Sequence, residues 1–259
     1  MQSDPNILQV NNLSKFFGGL AAVSNCSLKI KKGSITGIIG PNGSGKTTLF
    51  NLISGNLESS KGTVLFNDED ITNVPSYELF SKGVLRTFQI AHEFTNLTVL
   101  ENLMMVPGNQ FGEKLTNVFL NSKVIKKQEE EIKNKALSVT EFLNLKHLAN
   151  ELAGNLSGGQ KKLLELGRTM MVEASLVLLD EVGAGVNRTL LKDLGSAILR
   201  LNKERGYTFC MIEHDMDFIS RMCDPVIVMS EGSVLFEGTS QEVKKNEKVI
   251  DSYLGRGKK

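Results

Sequence analysis

Short apolar runs set off by polar turns alternate along this chain with longer segments whose apolar positions recur at helical spacing. Residues 7–10 and 27–30 read as short strands, the first followed by a polar turn and the second closed by Lys31, Lys32 and Gly33. Together they predict an antiparallel β region at the start. Residues 34–39 form a compact apolar run ending in a glycine-rich turn, and residues 47–54 then place Leu49, Leu52 and Ile53 at helical spacing. That is strand, loop, helix. Gly55 suits the position just past this helix, because glycine enters the left-handed region without steric cost.

From about residue 96 to residue 154 the pattern turns helical. Glu129 and Lys133, and Glu131 and Lys135, stand four apart on an amphipathic stretch, which predicts a separate helical subdomain. The charged run 126–135 reads as a solvated helix face and is given no function. Three further buried strands are expected at 176–179, 208–212 and 225–229, with helical segments between them. Strands alternating with helices imply a parallel sheet covered on both faces. A final hairpin strand is expected at 233–236 and a short basic, glycine-rich tail at 255–259. The expected division is an α/β core with its β region over about 1–95 and 165–235, a helical subdomain over about 96–164, and a C-terminal extension over about 236–259.

Composition narrows the classes. With 259 residues, 41% of them hydrophobic, and 5 prolines, the chain has the material for a sizeable core, and disorder is not the default. Lys and Arg number 30 against 29 acidic residues, a net charge of +1, so no global field draws it to nucleic acid or anionic lipid. Nucleic acid is not an expected partner. Cys26, Cys210 and Cys223 are odd in number and form no C-x-x-C pair, which suits reduced packing thiols better than a disulfide or zinc framework. Residues 1–5 show no basic stretch leading into an apolar run, and no segment approaches the roughly 18 apolar residues of a membrane span. The chain is expected to be soluble by itself.

The glycine-rich turn carries the first chemistry. Gly40, Pro41, Asn42, Gly43, Ser44, Gly45, Lys46, Thr47 and Thr48 contain G-x-x-x-x-G-K-T between an apolar strand and a helix, the context the motif requires. Its glycines let backbone N–H groups turn inward around a phosphate at a helix N-terminus, Lys46 adds a full charge, and the Thr47 hydroxyl is the expected Mg²⁺ ligand. An accidental match would be a serious rival if the motif stood alone. It does not, because the apolar run 176–179 ends in Asp180 and Glu181, at the edge where an open α/β sheet exposes ligand-binding groups. Asp180 is placed to hold the Mg²⁺ shell through water, and Glu181 is the candidate general base.

His214 follows another apolar strand and reaches the same sheet edge, where a contact with the γ-phosphate or the attacking water is expected. Gln89, in Arg86-Thr-Phe-Gln89, has no chemical signature of its own. Ser157, Gly158, Gly159 and Gln160 precede a helix with Leu163, Leu166 and Met170 on one side, and Ser157 is a good N-cap. This is a second anion-binding helix N-terminus, yet there is one lysine loop. It reads either as a capped helix and nothing more, or as the completion of a site in another subunit.

Taken in order, the phosphate loop, Gln89, residues 156–160, Asp180 with Glu181, and His214 resemble the ABC ATPase family over nearly the whole chain. The resemblance implies an α/β fold: a RecA-like P-loop ATPase core with an antiparallel β subdomain and an inserted helical subdomain. It implies ATP and Mg²⁺ bound between two such subunits arranged head to tail. It further implies that Phe17 stacks on adenine, that Gln89 senses Mg²⁺, and that residues 157–160 clasp the γ-phosphate held by the partner.

Within that family, residues 16–23, 86–89, 97–103, 183–187, 212–216 and 249–255, with the long helical stretch at 113–138, are similar to branched-chain amino acid importers. The implied assembly has two permease subunits, a related ATPase or second copy, and an extracytoplasmic binding protein, with this chain peripheral on the cytoplasmic face of the membrane. Urea, short amides or other amino acids are alternative solutes, and a soluble ABC ATPase outside transport is a further alternative. Tandem cassettes, coiled-coil insertions, zinc cysteines and a basic surface, which would favour that last reading, are absent from the sequence. Two departures stand out. Val182 replaces the proline usual after the catalytic glutamate, and Asn187 replaces the aspartate common in the dimer-contact loop. Without proline's fixed φ the turn that aims Glu181 is expected to be looser, altering the rate without abolishing activity.

Overall fold

The computed structural model describes residues 5–87, 93–108, 110–113, 122–172 and 174–254. It contains two compact units, one formed by Met1–Gln89, Ser175–Ala184 and Ile198–Lys259, the other by Ile90–Ala174 and Gly185–Ala197.

The first unit holds two sheets. An antiparallel sheet has the order β2-β1-β4-β5, built from β1 (Asn6–Phe17), β2 (Leu20–Lys31), β4 (Lys61–Phe66) and β5 (Glu69–Asp70). The first pair is much longer than the apolar runs at 7–10 and 27–30 suggest. Register shifts interrupt the pairing near Asn12 and Asn25, both at φ 49, and these irregularities break the alternation from which a longer strand would be read.

The second sheet has the order β10-β9-β3-β8-β7-β6, from β3 (Ile35–Ile39), β6 (Val84–Arg86), β7 (Leu176–Asp180), β8 (Thr208–Ile212), β9 (Val226–Ser230) and β10 (Ser233–Gly238). All neighbours are parallel except β10 on β9. Every residue of β3, β7 and β8 is buried, which is why these strands read as continuous apolar runs. Helix α1 (Lys46–Ile53) packs Leu49, Phe50 and Ile53 into one buried cluster with Leu8, Leu13 and Ile30 of the antiparallel sheet and Leu178, Ile212 and Met229 of the parallel one. The core therefore sits around the helix that follows the phosphate loop. Helices α2 (Ser76–Lys82), α7 (Met216–Met222), α8 (Ser240–Lys245) and α9 (Glu247–Leu254) complete this unit.

All three cysteines are buried. Burial pushes the Cys26 thiol up to about 11 and that of Cys223 to about 12. These are unreactive packing residues.

In the second unit, α3 (Val99–Met104), α4 (Ser122–Phe142) and α5 (Gly158–Met170) are helical. Close packing is possible where Gly167 of α5 faces Val139, Leu143 and Leu103, since a Cβ there would lie 2.8 Å from Leu143. Helix α6 (Arg188–Arg205) carries the chain from this unit into the first. Among the described residues no helix is long and apolar enough to cross a membrane.

Candidate nucleotide site

The loop from Gly40 to Gly45 joins β3 to α1, and two of its glycines are required by what surrounds them. A Cβ on Gly40 would lie 2.2 Å from the Met229 carbonyl oxygen, and one on Gly45 would lie 2.4 Å from that of Ala22. Gly45 also adopts φ 96, a left-handed N-cap that gives α1 no side-chain cap. Asn42, Gly43 and Thr47 are exposed, Pro41 and Thr48 half-buried, and Ser44 buried. Lys46 is buried and folds back over the loop, donating to the carbonyls of Gly40 (2.8 Å) and Pro41 (3.0 Å). Desolvation holds its ammonium below the ordinary lysine value, partly offset by the charges of Glu181 and Asp180. Burial raises the hydroxyl of Tyr253 in α9 above the ordinary tyrosine value, and the Gly40 backbone of the same loop partly offsets the rise.

Asp180 ends β7 and is buried. Its Oδ2 accepts from Arg86 Nη2 at 2.7 Å, while Arg86 Nη1 donates to Asn51 Oδ1 (2.5 Å) and Ser54 Oγ (3.4 Å) in the last turn of α1. A guanidinium thus links the acidic strand to the helix of the phosphate loop. Register explains the placement: Arg86 lies opposite Leu178, two residues before Asp180.

The next strand brings the remaining chemistry together. Asp180 pairs with Ile212, and the Glu181 N–H donates to the Ile212 carbonyl at 2.9 Å, so the chain leaves β7 and β8 at one level. His214 Nε2 then meets Glu181 Oε1 at 3.0 Å. Two candidates that are 33 positions apart in sequence are hydrogen-bonded at the sheet edge. The Glu181 side chain is 22% exposed and that of His214 48%, so both face solvent from a buried strand end.

Phe17 closes β1 and is 49% exposed, with Lys15 Nζ 5.4 Å from its ring centroid. In the second unit, Ser157 N-caps α5 in a capping box: its hydroxyl accepts from the Gln160 N–H and its own N–H donates to Gln160 Oε1 at 2.9 Å. Gly158 is exposed and Gly159 buried. Gln89 lies outside the described residues.

Among the described residues no three His, Cys, Asp or Glu side chains cluster to hold a metal. Mg²⁺ takes one or two protein ligands and completes its shell with water and substrate phosphate oxygens. The donor types of Thr47 and Asp180, a hydroxyl and a carboxylate, are the hard oxygens it prefers.

Residues 23–184 match the family model described as "ABC transporter". The chain belongs to the ABC transporter ATP-binding family. Residues 233–259 match a second model, "Branched-chain amino acid ATP-binding cassette transporter". Among similar proteins is the probable branched-chain amino acid transport ATP-binding protein LivG of Archaeoglobus fulgidus, 45% identical over 96% of this chain and 95% of that one. LivG of Methanocaldococcus jannaschii is 41% identical over 98% and 100% of the two chains. BraF of Pseudomonas aeruginosa is 35% identical over 96% and 98%. A crystal structure of the ADP conformation of the ATP-binding cassette MJ1267 superposes with a TM-score of 0.83 at 40% identity, covering 96% of this chain and 99% of that one. The fold expected from the sequence, an α/β ABC ATPase, is the fold observed. Members of this family bind nucleotide and hydrolyse ATP to power transport.

Against this ABC cassette background, three residues stand out that the sequence reading did not single out. Arg86 was visible as a charge beside Gln89, but its partner Asp180 is 94 positions away. Tyr253 enters the sequence analysis only within the 249–255 resemblance, with no role at the phosphate loop. Glu213, next to His214, is buried.

Proposed function

We propose that this chain is the ATP-hydrolysing motor of an importer for branched-chain amino acids, working with a second ATPase subunit against membrane permease subunits. The observation that carries the hydrolytic part is the Glu181–His214 hydrogen bond at 3.0 Å, at the sheet edge that also carries Asp180. The import part is supported by the relatives and by the C-terminal match over residues 233–259.

The backbone N–H groups of residues 40–48 and the Lys46 ammonium hold the β- and γ-phosphates, and Phe17, exposed at the end of β1, offers a face for adenine. Thr47 and Asp180, with Gln89, hold Mg²⁺, which neutralises charge on the phosphates when bound. Glu181 accepts the proton of the attacking water, and His214 orients both carboxylate and water through Nε2. Ser157, Gly158, Gly159 and Gln160 complete the site of the second subunit, so hydrolysis requires pairing. The chain is peripheral on the cytoplasmic face through its permeases, and the extracytoplasmic binding protein acts on it only through them.

Glu181→Gln tests the catalytic assignment. It is expected to retain nucleotide, to accumulate an ATP-bound dimer on gel filtration, and to lose turnover by about 10²- to 10⁴-fold. Full hydrolysis by that variant refutes the base. Uptake by vesicles carrying the reconstituted permeases and binding protein tests the solute: stimulation by leucine, isoleucine or valine is expected, and stimulation by urea or short amides alone would overturn it.

A further inference from the structure

Glu213 has no part in the reading above, yet it is 5% exposed and stands between β8 and His214. Enclosing a carboxylate costs several kcal/mol unless hydrogen bonds replace the lost water. Its two oxygens take different backbone donors: Oε1 accepts from Gly183 N–H at 2.7 Å, and Oε2 from His214 N–H at 3.4 Å. One donor belongs to the turn that carries Glu181, the other to the residue that Glu181 touches. Desolvation raises this carboxyl above the ordinary value, the two N–H groups pull it back, and the facing charges of Glu181 and His214 act in opposite directions.

The turn needs a fastening of this kind. Glu181 sits at φ 49, a left-handed conformation that is unfavourable for a non-glycine residue. Val182, which follows, leaves φ free where proline would fix it. The entrance is tied by Glu181 N–H to the Ile212 carbonyl, and the turn closes on itself by Ala184 N–H to the Glu181 carbonyl at 3.0 Å. The Gly183–Glu213 bond ties the middle of the turn to the end of β8. Val182 itself is buried, so the turn is held from its apolar side as well.

We infer that Glu213 is a positioning residue: its carboxylate clamps the turn at residues 181–184 to the end of β8 and so sets the approach of Glu181 to His214, replacing the restraint that proline at position 182 would supply. The inference rests on the reading of Glu181 as the base. It also corrects the expectation of a loose turn, because a buried side chain from the neighbouring strand restrains what the chain's own φ does not.

The test compares Glu213→Ala, Glu213→Gln, Val182→Pro and the double variant Glu213→Ala with Val182→Pro, in the full chain. For Glu213→Ala, kcat is expected to fall about ten- to hundredfold, the scale of a displaced catalytic group. Affinity for a fluorescent ATP analogue should stay within about twofold, since the clamp acts on turnover and not on the phosphate loop. Glu213→Gln keeps the volume and one acceptor oxygen, so it is expected to lose less, and it carries the test if the alanine variant does not fold. Val182→Pro alone should change kcat by less than about threefold, whereas in the double variant it should recover most of the loss, a non-additivity that marks two devices for one task.

A kcat loss that proline leaves untouched, or one matched by equal losses of nucleotide affinity and thermal stability, would reduce Glu213 to a core residue and overturn the inference. Unchanged turnover in both Glu213 variants would do the same. Glu181→Gln in parallel keeps the two readings apart: full hydrolysis there refutes the base itself, while collapse there with normal Glu213 variants refutes only the clamp.

Discussion

The helices α1 and α5 both begin at glycine-containing motifs, and both look like anion sites on paper, yet different groups meet their first N–H donors. At α1 the N-cap is Gly45 in the left-handed region, with no side-chain cap and no acidic residue in the first turn. Backbone and the lysine at the first helical position define the cradle. At α5 the chain caps itself, with Ser157 and Gln160 engaged in a reciprocal box. Glycine differs in purpose too. Gly45 permits a backbone path past Ala22, whereas Gly159 permits close packing, since a Cβ there would lie 2.4 Å from the Leu190 side chain. A phosphate at α1 meets donors no side chain has taken; one at α5 must share them with the cap. On the function proposed above, the first end holds nucleotide alone and the second contacts the phosphate that a partner presents.

The largest expected effect lies at the far end of α1. Arg86→Ala leaves Asp180 enclosed without its counter-charge, and losing one partner of a buried ion pair costs about 3–5 kcal/mol. Both side chains are at most 10% exposed, so solvent does not soften the loss. Chemical denaturation should report it directly, and a loss below about 1 kcal/mol, the scale of an exposed pair, would show that α1 is not anchored through the acidic strand. At the near end, Lys46→Ala removes a charge-assisted contact worth about 1.5–3 kcal/mol, a roughly tenfold to hundredfold loss of ATP affinity. Equilibrium binding to the isolated chain measures this, and unchanged affinity would break the contrast with α5.

The smallest effect is the most diagnostic. Ser157→Ala loses a cap worth about 1 kcal/mol, and Ser157→Gly only a few tenths, so the two should separate in thermal unfolding. Neither should move ATP affinity of the isolated chain, while both lower hydrolysis at concentrations where subunits pair. Weaker ATP binding by the isolated Ser157→Ala chain would mean that α5 does not await a partner.

Much of the fold was legible because its central strands are buried on both faces. Parallel strands such as β3, β7 and β8 cannot alternate, so they appear as continuous apolar runs that end where ligands bind. The β1–β2 pair was legible only in part, since its irregularities move residues off the two-residue period. Strands β4 and β6 were missed: β4 is half exposed, and β6 has three residues, too few to show a pattern.

By itself the sequence pointed to the residues whose chemistry is local: the phosphate loop with Lys46 and Thr47, the adjacent Asp180 and Glu181, and Ser157 as the N-cap of α5. Those identities depend on spacing along one element, which a linear pattern records. Tertiary structure alone decided which polar groups meet. Arg86 reaches Asp180, His214 reaches Glu181, and Glu213 reaches Gly183 because parallel pairing sets the ends of β6, β7 and β8 side by side. Strand register joins positions 30 to 94 apart, and no periodicity in the chain encodes that distance.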